Sequence, residues 1–299
     1  MQTITIRPMR NILLTGARGQ VGSALRHVDW PDGVTLSALD SSQLDITDRA
    51  EVLKACEGHQ PSVVINAAAY TAVDQAETDE DRAKDVNATA VGFLTEGANQ
   101  CGAMLIHIST DYVFDGEKSG WYQEDDATNP LSVYGRTKLA GEHAAAEAER
   151  SVVLRTSWVY SATGKNFVKT IRRIAMENPQ LRIVADQHGC PTSATDIATT
   201  IASLVEMTNY GADPLPSTVY HAVARDAASW HQFAEAIIAH SPTVPDVPCE
   251  PVPTPAYPTA AHRPQNGKLD TSLLHQDTGL RLPDWEDSLQ KVIKQLDAQ

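Results

Sequence analysis

Five apolar runs of strand length constrain this chain more than any other feature, because they read as continuous stretches and not as an alternation of apolar and polar residues. They are NILLTG (11–16), VTLSALD (34–40), SVVINAAAY (62–70), AMLIHIST (103–110) and SVVLRTSW (151–158). A strand that is apolar on both faces has to be covered on both. That requires helices above and below a sheet, and hence parallel strands joined by crossovers. Segments of helical pattern stand between the runs: VGSALRHV (21–28), TDRAEVLKACEG (47–58), a long stretch over 79–100, and YGRTKLAGEHAAAEAE (134–149). The class is therefore α/β, a Rossmann-like doubly wound parallel sheet.

Beyond residue 158 the pattern loosens. LRIVADQ (181–187) and STVYHAVA (217–224) read as two more strands, with a helix over 196–207 between them. Eight of the chain's 17 prolines fall between 241 and 264, and so many missing amide donors exclude a helix or a central strand there. This stretch is expected to be a semi-rigid connection in a smaller C-terminal substrate-binding subdomain, which ends in a helix beginning near Pro283. The expected division is a dinucleotide-binding domain over 10–160, to which 192–225 return, and a substrate-binding subdomain made of 161–191 and 226–299.

A net charge of −14 argues against nucleic acid or an anionic membrane surface as partner. The first ten residues hold no long apolar stretch, and nowhere do the ~18 consecutive apolar residues of a membrane span occur, so a cytoplasmic location is expected. Cys56, Cys101, Cys190 and Cys249 are scattered, which suggests neither a disulfide framework nor a zinc knuckle.

Directly after the first strand comes GARGQVG, with Gly16, Gly19 and Gly22 around Arg18, Gln20 and Val21. Between a strand and a helix, such glycines permit a tight turn and let backbone amides approach a pyrophosphate. Asp40 ends the second strand 18 residues beyond Gly22, where a carboxylate would accept the hydroxyls of an adenine ribose and repel a 2′-phosphate. Arg18 argues the other way, since a guanidinium there could bind that phosphate, and NADH versus NADPH stays open. Asp45 and Ile46 are candidate adenine contacts, although capping of the next helix explains Asp45 and Asp48 equally well. Small side chains at Ala67, Ala68 and Ala69 would let a dinucleotide lie across the sheet edge.

Tyr134 and Lys138 stand four apart at the start of a helical pattern, so both project from one face. A phenol is a sluggish acid at neutral pH, and a nearby ammonium moves it toward the operating range. With the upstream phosphate loop, this pair resembles the extended short-chain dehydrogenase/reductase superfamily. The likeness can be narrowed. LLTGARGQVG, NAAAYTAVDQAE, ISTDYVFDG, NPLSVYGRTKLAGE, LRTSWVY, DQHGCPTSA and AYPTAAHRP follow one another over nearly the whole chain, and together they resemble the motifs of the dTDP-4-dehydrorhamnose reductases.

That resemblance implies a nucleotide-sugar substrate, whose C4 ketone takes a hydride from NADPH or NADH. It implies catalytic roles for Tyr134 as proton donor, for Lys138 as the group that lowers the phenol's pKa and holds the nicotinamide ribose, and for Thr110 as a hydrogen-bond donor to the same sugar oxygen. It implies substrate contacts for Asp111, for Trp158 against the sugar ring, and less strongly for Thr71, Val73 and Arg263. Lys165, Lys169, Arg172 and Arg173 are candidates for a basic locus at the diphosphate, or simply a solvated helix face. Related 4,6-dehydratases follow the threonine with an Asp-Glu pair, and here Tyr112 replaces the glutamate, which disfavours elimination.

Some members of that family dimerise around Mg²⁺ held by glutamates. Ala24 stands at one of those places, so no metal site is expected, and the chain is expected to be a monomer or a metal-free homodimer. Gly267 likewise replaces the serine that usually follows the final RP. Two alternatives remain: a reductase of another nucleotide-linked 4-keto-6-deoxy sugar, and a non-catalytic NADP-binding regulatory subunit of the same fold.

Overall fold

Six strands, β1 (Arg10–Thr15), β2 (Val34–Leu39), β3 (Val63–Asn66), β4 (Met104–Thr110), β5 (Ser151–Thr156) and β6 (Val219–His221), form one sheet in the order β6-β5-β4-β3-β1-β2. Every neighbouring pair is parallel. The structure is a computed structural model and describes residues 10–216 and 218–298, so most of the N-terminal segment and Ser217 lie outside the described residues.

Successive residues of a strand enter different cores, which is why the runs are continuously apolar. Ile12, Leu14, Ile65, Ile106 and Leu154 face one side, where the helices α1 (Gln20–Leu25) and α5 (Ala194–Met207) cover them. Leu13, Val64, Leu105 and Val153 face the other, under α2 (Arg49–His59), α3 (Ala90–Cys101) and the C-terminal end of α4 (Val133–Ala146). No helix among the described residues is long and apolar enough to cross a membrane.

Three local differences from the sequence reading have physical causes. The long helix expected over 79–100 is interrupted by a π-helical turn, Asp85–Thr89. The turn carries Asn87 inward, where its amide binds both the N–H and the C=O of Tyr70, and also the Thr137 hydroxyl on α4. For the same reason β3 stops at Asn66 and does not run on to residue 70, since the backbone of Tyr70 is held by a side chain and not by a neighbouring strand. The proline-rich stretch does contribute a strand, Cys249–Val252, but it pairs only with Leu181–Val184, an edge position that tolerates Pro251.

A second apolar cluster gathers Val168, Ile171, Phe233, Ile237, Leu289 and Ile293 from the helices Phe167–Glu177, Trp230–Ala239 and Trp285–Asp297. The segment near residues 272–282 does not join it. Leu274 and Leu282 pack into the main sheet's core instead.

Between α4 and β5 lies a buried ion pair. Arg155 donates to both oxygens of Glu142, at 2.8 Å and 3.0 Å, and also to the carbonyl of Glu124. Ser109 supplies a further donor to Glu142. Removing one partner strands a charge that cannot reach water. Arg155→Met is therefore expected to destabilise the protein by about 3–5 kcal/mol, and Arg155→Met with Glu142→Leu by much less, measured as the urea unfolding midpoint.

Candidate active site

The chain leaves β1 toward β2 and reaches β3 on the other side of β1. The carboxyl ends of β1 and β3 therefore flank the crevice where parallel sheets of this kind take ligands. The glycine loop fills one wall. Gly16 has φ of +70°, and a side chain there would overlap the backbone of Ala67 and Ala68 after β3, so only glycine lets the two loops meet. Gly22 does not line the crevice. It packs α1 against the carbonyl of Gly16.

Two cavities join along this edge. The first, of about 250 Å³, is bounded by Gly16, Arg18, Gly19, Asp40, Asp45, Ile46, Ala68 and Ala69 among others. The second, of about 410 Å³, is bounded by Gln20, Val21, Thr71, Tyr134, Lys138 and Lys165. They share Arg18, Gly19 and residues 67–69, so they form one groove. Its small-residue floor fits an extended dinucleotide, and no side chain caps the first turn of α1.

Arg18 and Asp40 form an ion pair at 2.8 Å, with Arg18 largely exposed and Asp40 buried. Hydrogen bonds from the Ser42 hydroxyl and amide, and the charge of Arg18 to a smaller extent, hold the Asp40 carboxyl below its usual range. Asp45 accepts the amide and hydroxyl of Thr47, while Asp48 is the residue that caps α2.

At the other end of the groove, Ser132 caps α4 by accepting the Gly135 amide. A Cβ on Gly135 would strike the carbonyl of Tyr112, so glycine lets this helix seat Tyr134 against the turn after β4. Thr110 ends β4 beside Tyr134, and its hydroxyl donates to Asp111 Oδ1 at 3.1 Å and accepts the Tyr112 amide at 3.2 Å. Burial pushes the Tyr134 phenol up to about 12, the Thr110 hydrogen bond pulls it down, and Asp111 raises it further. Burial draws Lys138 down to about 8 against the pull of Glu142, and Nζ donates to the Ile108 carbonyl at 2.6 Å.

Asp111 is not a groove wall. It is 2% exposed, and its oxygens accept from Thr110 and from Ser157 at 3.0 Å. Gly267 leaves the space that Asp111 Oδ2 fills, so a serine there would collide with the carboxyl. Tyr112 meets Tyr134 edge-on at 5.5 Å, and burial raises its phenol, which rules out a base at neutral pH.

An apolar groove continues past Tyr112, bounded by Phe167, Ile171, Arg182, Gln187, Trp230, Tyr257 and Arg263. Trp158 stands behind it at φ of +48°, a strained conformation for a bulky residue, and stacks face to face on Trp230 at 3.4 Å. Arg263 binds Asp74 through two hydrogen bonds, at 2.7 Å and 3.0 Å, joining the C-terminal part to the helix Val73–Ala76. Val73 opens that helix and lines none of these grooves. Of the basic candidates, Arg172 is bound to Asp297, Arg173 to Glu177, and Lys169 lines none of these grooves, leaving Lys165 in the groove. Arg182, Gln187, Trp230 and Tyr257 were not singled out in the sequence. The aromatic stretch SWHQF (229–233) holds Trp230, while Gln187 and Tyr257 stand within DQHGCPTSA and AYPTAAHRP.

Residues 9–298 match the family described as RmlD substrate binding domain. The chain is similar to a dTDP-4-dehydrorhamnose reductase of Burkholderia thailandensis, 43% identical over 95% of this chain and 98% of that one. Among solved structures it is similar to a dTDP-4-dehydrorhamnose reductase from Clostridium acetobutylicum, 36% identical with a TM-score of 0.90 over 96% of this chain and 99% of that one. A Bacillus anthracis dTDP-4-dehydrorhamnose reductase in complex with NADP is 33% identical, with a TM-score of 0.89 over the same shares.

Burial pushes the Asp111 carboxyl up to about 7, against the opposing hydrogen bonds of Ser157 and Thr110. An acid that binds its proton more tightly when folded stabilises the fold while protonated. That stability is complete below its ordinary value of 3.8 and is lost as the pH rises to about 7. Relative to Asp111→Asn, the wild-type protein is expected to lose up to about 4 kcal/mol between those limits, followed by denaturant unfolding across pH.

Proposed function

The chain belongs to the dTDP-4-dehydrorhamnose reductase family of oxidoreductases, and on that premise we propose that it reduces the C4 ketone of dTDP-4-dehydro-L-rhamnose to dTDP-L-rhamnose with NADPH or NADH. The observation that carries the reading is one continuous groove that starts at a glycine loop and ends at Tyr134 and Lys138, with Thr110 at the end of β4 beside Tyr134. In this reading residues 10–160 and 192–225 hold the dinucleotide, while 161–191 and 226–299 hold the nucleotide sugar.

The nicotinamide, when bound, supplies the hydride for the sugar's C4. Gly16, Gly19, Gln20 and Val21 bind the pyrophosphate stretch, Ala68 and Ala69 form the floor, and Asp40, Asp45, Ile46 and Arg18 surround the adenosine end. Tyr134 gives its phenolic proton to the oxygen on C4 as charge develops there. Thr110 donates a hydrogen bond to the same oxygen, for which its hydroxyl turns away from Asp111. Before substrate binds, Asp111 accepts the Thr110 hydroxyl, so its part is to position Thr110 and not to touch the sugar. The Lys138 ammonium stabilises the phenolate left on Tyr134. Trp230, backed by Trp158 stacked against it, offers an apolar wall to the deoxy sugar, with Thr71 and Arg263 at the rim of the site. A buried phenol flanked by a carboxyl holds its proton firmly, which suits a donor that must stay protonated until the ketone is polarised.

Tyr134→Phe is expected to lower kcat by about 10²–10⁴-fold while the dissociation constant for NADPH stays within a fewfold of wild type, with turnover followed by loss of reduced-nicotinamide absorbance. Full turnover by that variant would refute the proton donor, and no oxidation of either cofactor by the wild-type enzyme with dTDP-4-dehydro-L-rhamnose would refute the substrate.

Arg18 is ion-paired with Asp40 at the adenosine end of the groove while its guanidinium stays largely exposed. Arg18→Ala is therefore expected to weaken NADPH about tenfold or more relative to NADH, read from the two KM values.

A further inference from the structure

Beneath the catalytic corner runs a column of buried polar side chains to which the reduction assigns no role: Thr15 at the end of β1, Asn66 at the end of β3 and His107 within β4, leading to Lys138 on α4. Donor directions along the column are set from one end. The Ala68 backbone amide, which can only donate, points at Asn66 Oδ1 at 3.2 Å, and the Thr15 hydroxyl donates to the same oxygen at 2.7 Å. The other branch of the amide is therefore nitrogen. Asn66 Nδ2 lies 3.1 Å from His107 Nδ1 and must donate to it, so Nδ1 carries a lone pair and the proton of the neutral ring sits on Nε2. Burial, and then the charge of Lys138, hold His107 well below its usual range and keep it neutral.

His107 Nε2 lies 3.4 Å from Lys138 Nζ. An ammonium has three donors and no acceptor, so in that state two N–H groups confront each other. The neutral amine has a lone pair that accepts the Nε2–H while Nζ still donates to Ile108. We propose that His107, fixed in its Nε2-protonated form by Asn66, is a positioning residue that loosens Lys138's hold on its proton and thereby sets the alkaline limit of the reduction. The inference rests on the reading of Lys138 as the partner of Tyr134.

Other groups around Lys138 do not cancel this effect. Glu142, one turn on along α4, favours the ammonium, but its oxygens are engaged by Arg155 of β5 and Ser109 of β4. Asn87 of the π-helical turn is neutral and bound to Thr137. Tyr134, one turn back, is a protonated phenol, and Asp111 after β4 acts on Tyr134. The outcome is a lysine that still carries its proton at neutral pH but parts with it easily, the setting a proton donor needs. After Tyr134 has given its proton to the sugar, Lys138 returns one to the phenolate. An N–H bond breaks as the O–H bond forms, the Nε2–H of His107 meets the lone pair left on Nζ, and solvent then reprotonates the amine.

The test begins with the wild-type protein, free of cofactor, and imidazole ¹⁵N shifts. His107 is expected to be neutral with its proton on Nε2, and a proton on Nδ1 would overturn the proposal. Asn66→Asp then reverses the column: a carboxylate still accepts from Ala68 and Thr15 but offers His107 only acceptors, so the ring proton moves to Nδ1 and a lone pair faces Lys138. His107→Gln can turn a carbonyl toward Nζ and serves as the second variant. The Lys138 titration, followed by its side-chain ¹³Cε resonance, is expected near pH 8 in the wild type and at least about one unit higher in either variant, a tenfold change in proton affinity. The alkaline limb of kcat/KM is expected to move with it. A folded Asn66→Asp protein with both midpoints unmoved overturns the proposal. Lys138→Met separates the two readings: its full turnover would refute the catalytic role of the lysine, whereas lost turnover with an unmoved Asn66→Asp titration refutes the tuning alone.

Discussion

Burial of the sheet on both faces is the constraint from which the rest of the molecule follows. Because Leu13 enters one core while Ile12 and Leu14 enter the other, neither face of the sheet can be left to water. Helices must cross over between strands, the strands must be parallel, and every strand's carboxyl end must emerge on the same edge. The glycine loop after β1, the alanines after β3 and Thr110 at the end of β4 are neighbours for that reason, although they are far apart in the chain.

The same burial governs the electrostatics of the corner around Tyr134 and Lys138. Lys138, His107, Asp111, Glu142 and Arg155 are all almost completely buried, and each charge or donor has to be met by another group. Glu142 is met by Arg155 and Ser109, Asp111 by Thr110 and Ser157, and His107 by Asn66. Burial raises the phenol of Tyr134 and lowers the ammonium of Lys138, so a loosely held proton stands beside a firmly held one. A solvated Tyr-x-x-x-Lys pair at the same spacing would show neither effect.

Much of this was legible in the sequence because it depends on local pattern. The five continuous apolar runs and the glycine triplet before a helix place the dinucleotide groove, and the groove lining includes Gly16, Arg18, Asp40, Asp45, Ile46, Ala68 and Ala69. The remainder was not legible, since it depends on residues meeting across the fold. Nothing local to Asn87 announces a π-helical turn, whose purpose is a backbone 17 positions earlier. Asp111 looks like an exposed carboxylate in a polar string, yet Ser157 and the space left by Gly267 bury it. Trp230 becomes part of a groove only when the helix it opens is laid against Trp158.

By itself, then, the sequence determined the parallel sheet, the phosphate loop and the spacing of Tyr134 and Lys138, because hydrophobic period, glycine and helical repeat act over short distances. Only the tertiary structure decided what those groups are able to do. Arg18 and Asp40, opposing signals in the sequence, are one ion pair in space. Lys138 on α4 is buried and faces a histidine on β4, whose tautomer is fixed by an asparagine on β3. Proton affinity depends on burial and on which atom faces which, and neither exists until the chain has folded.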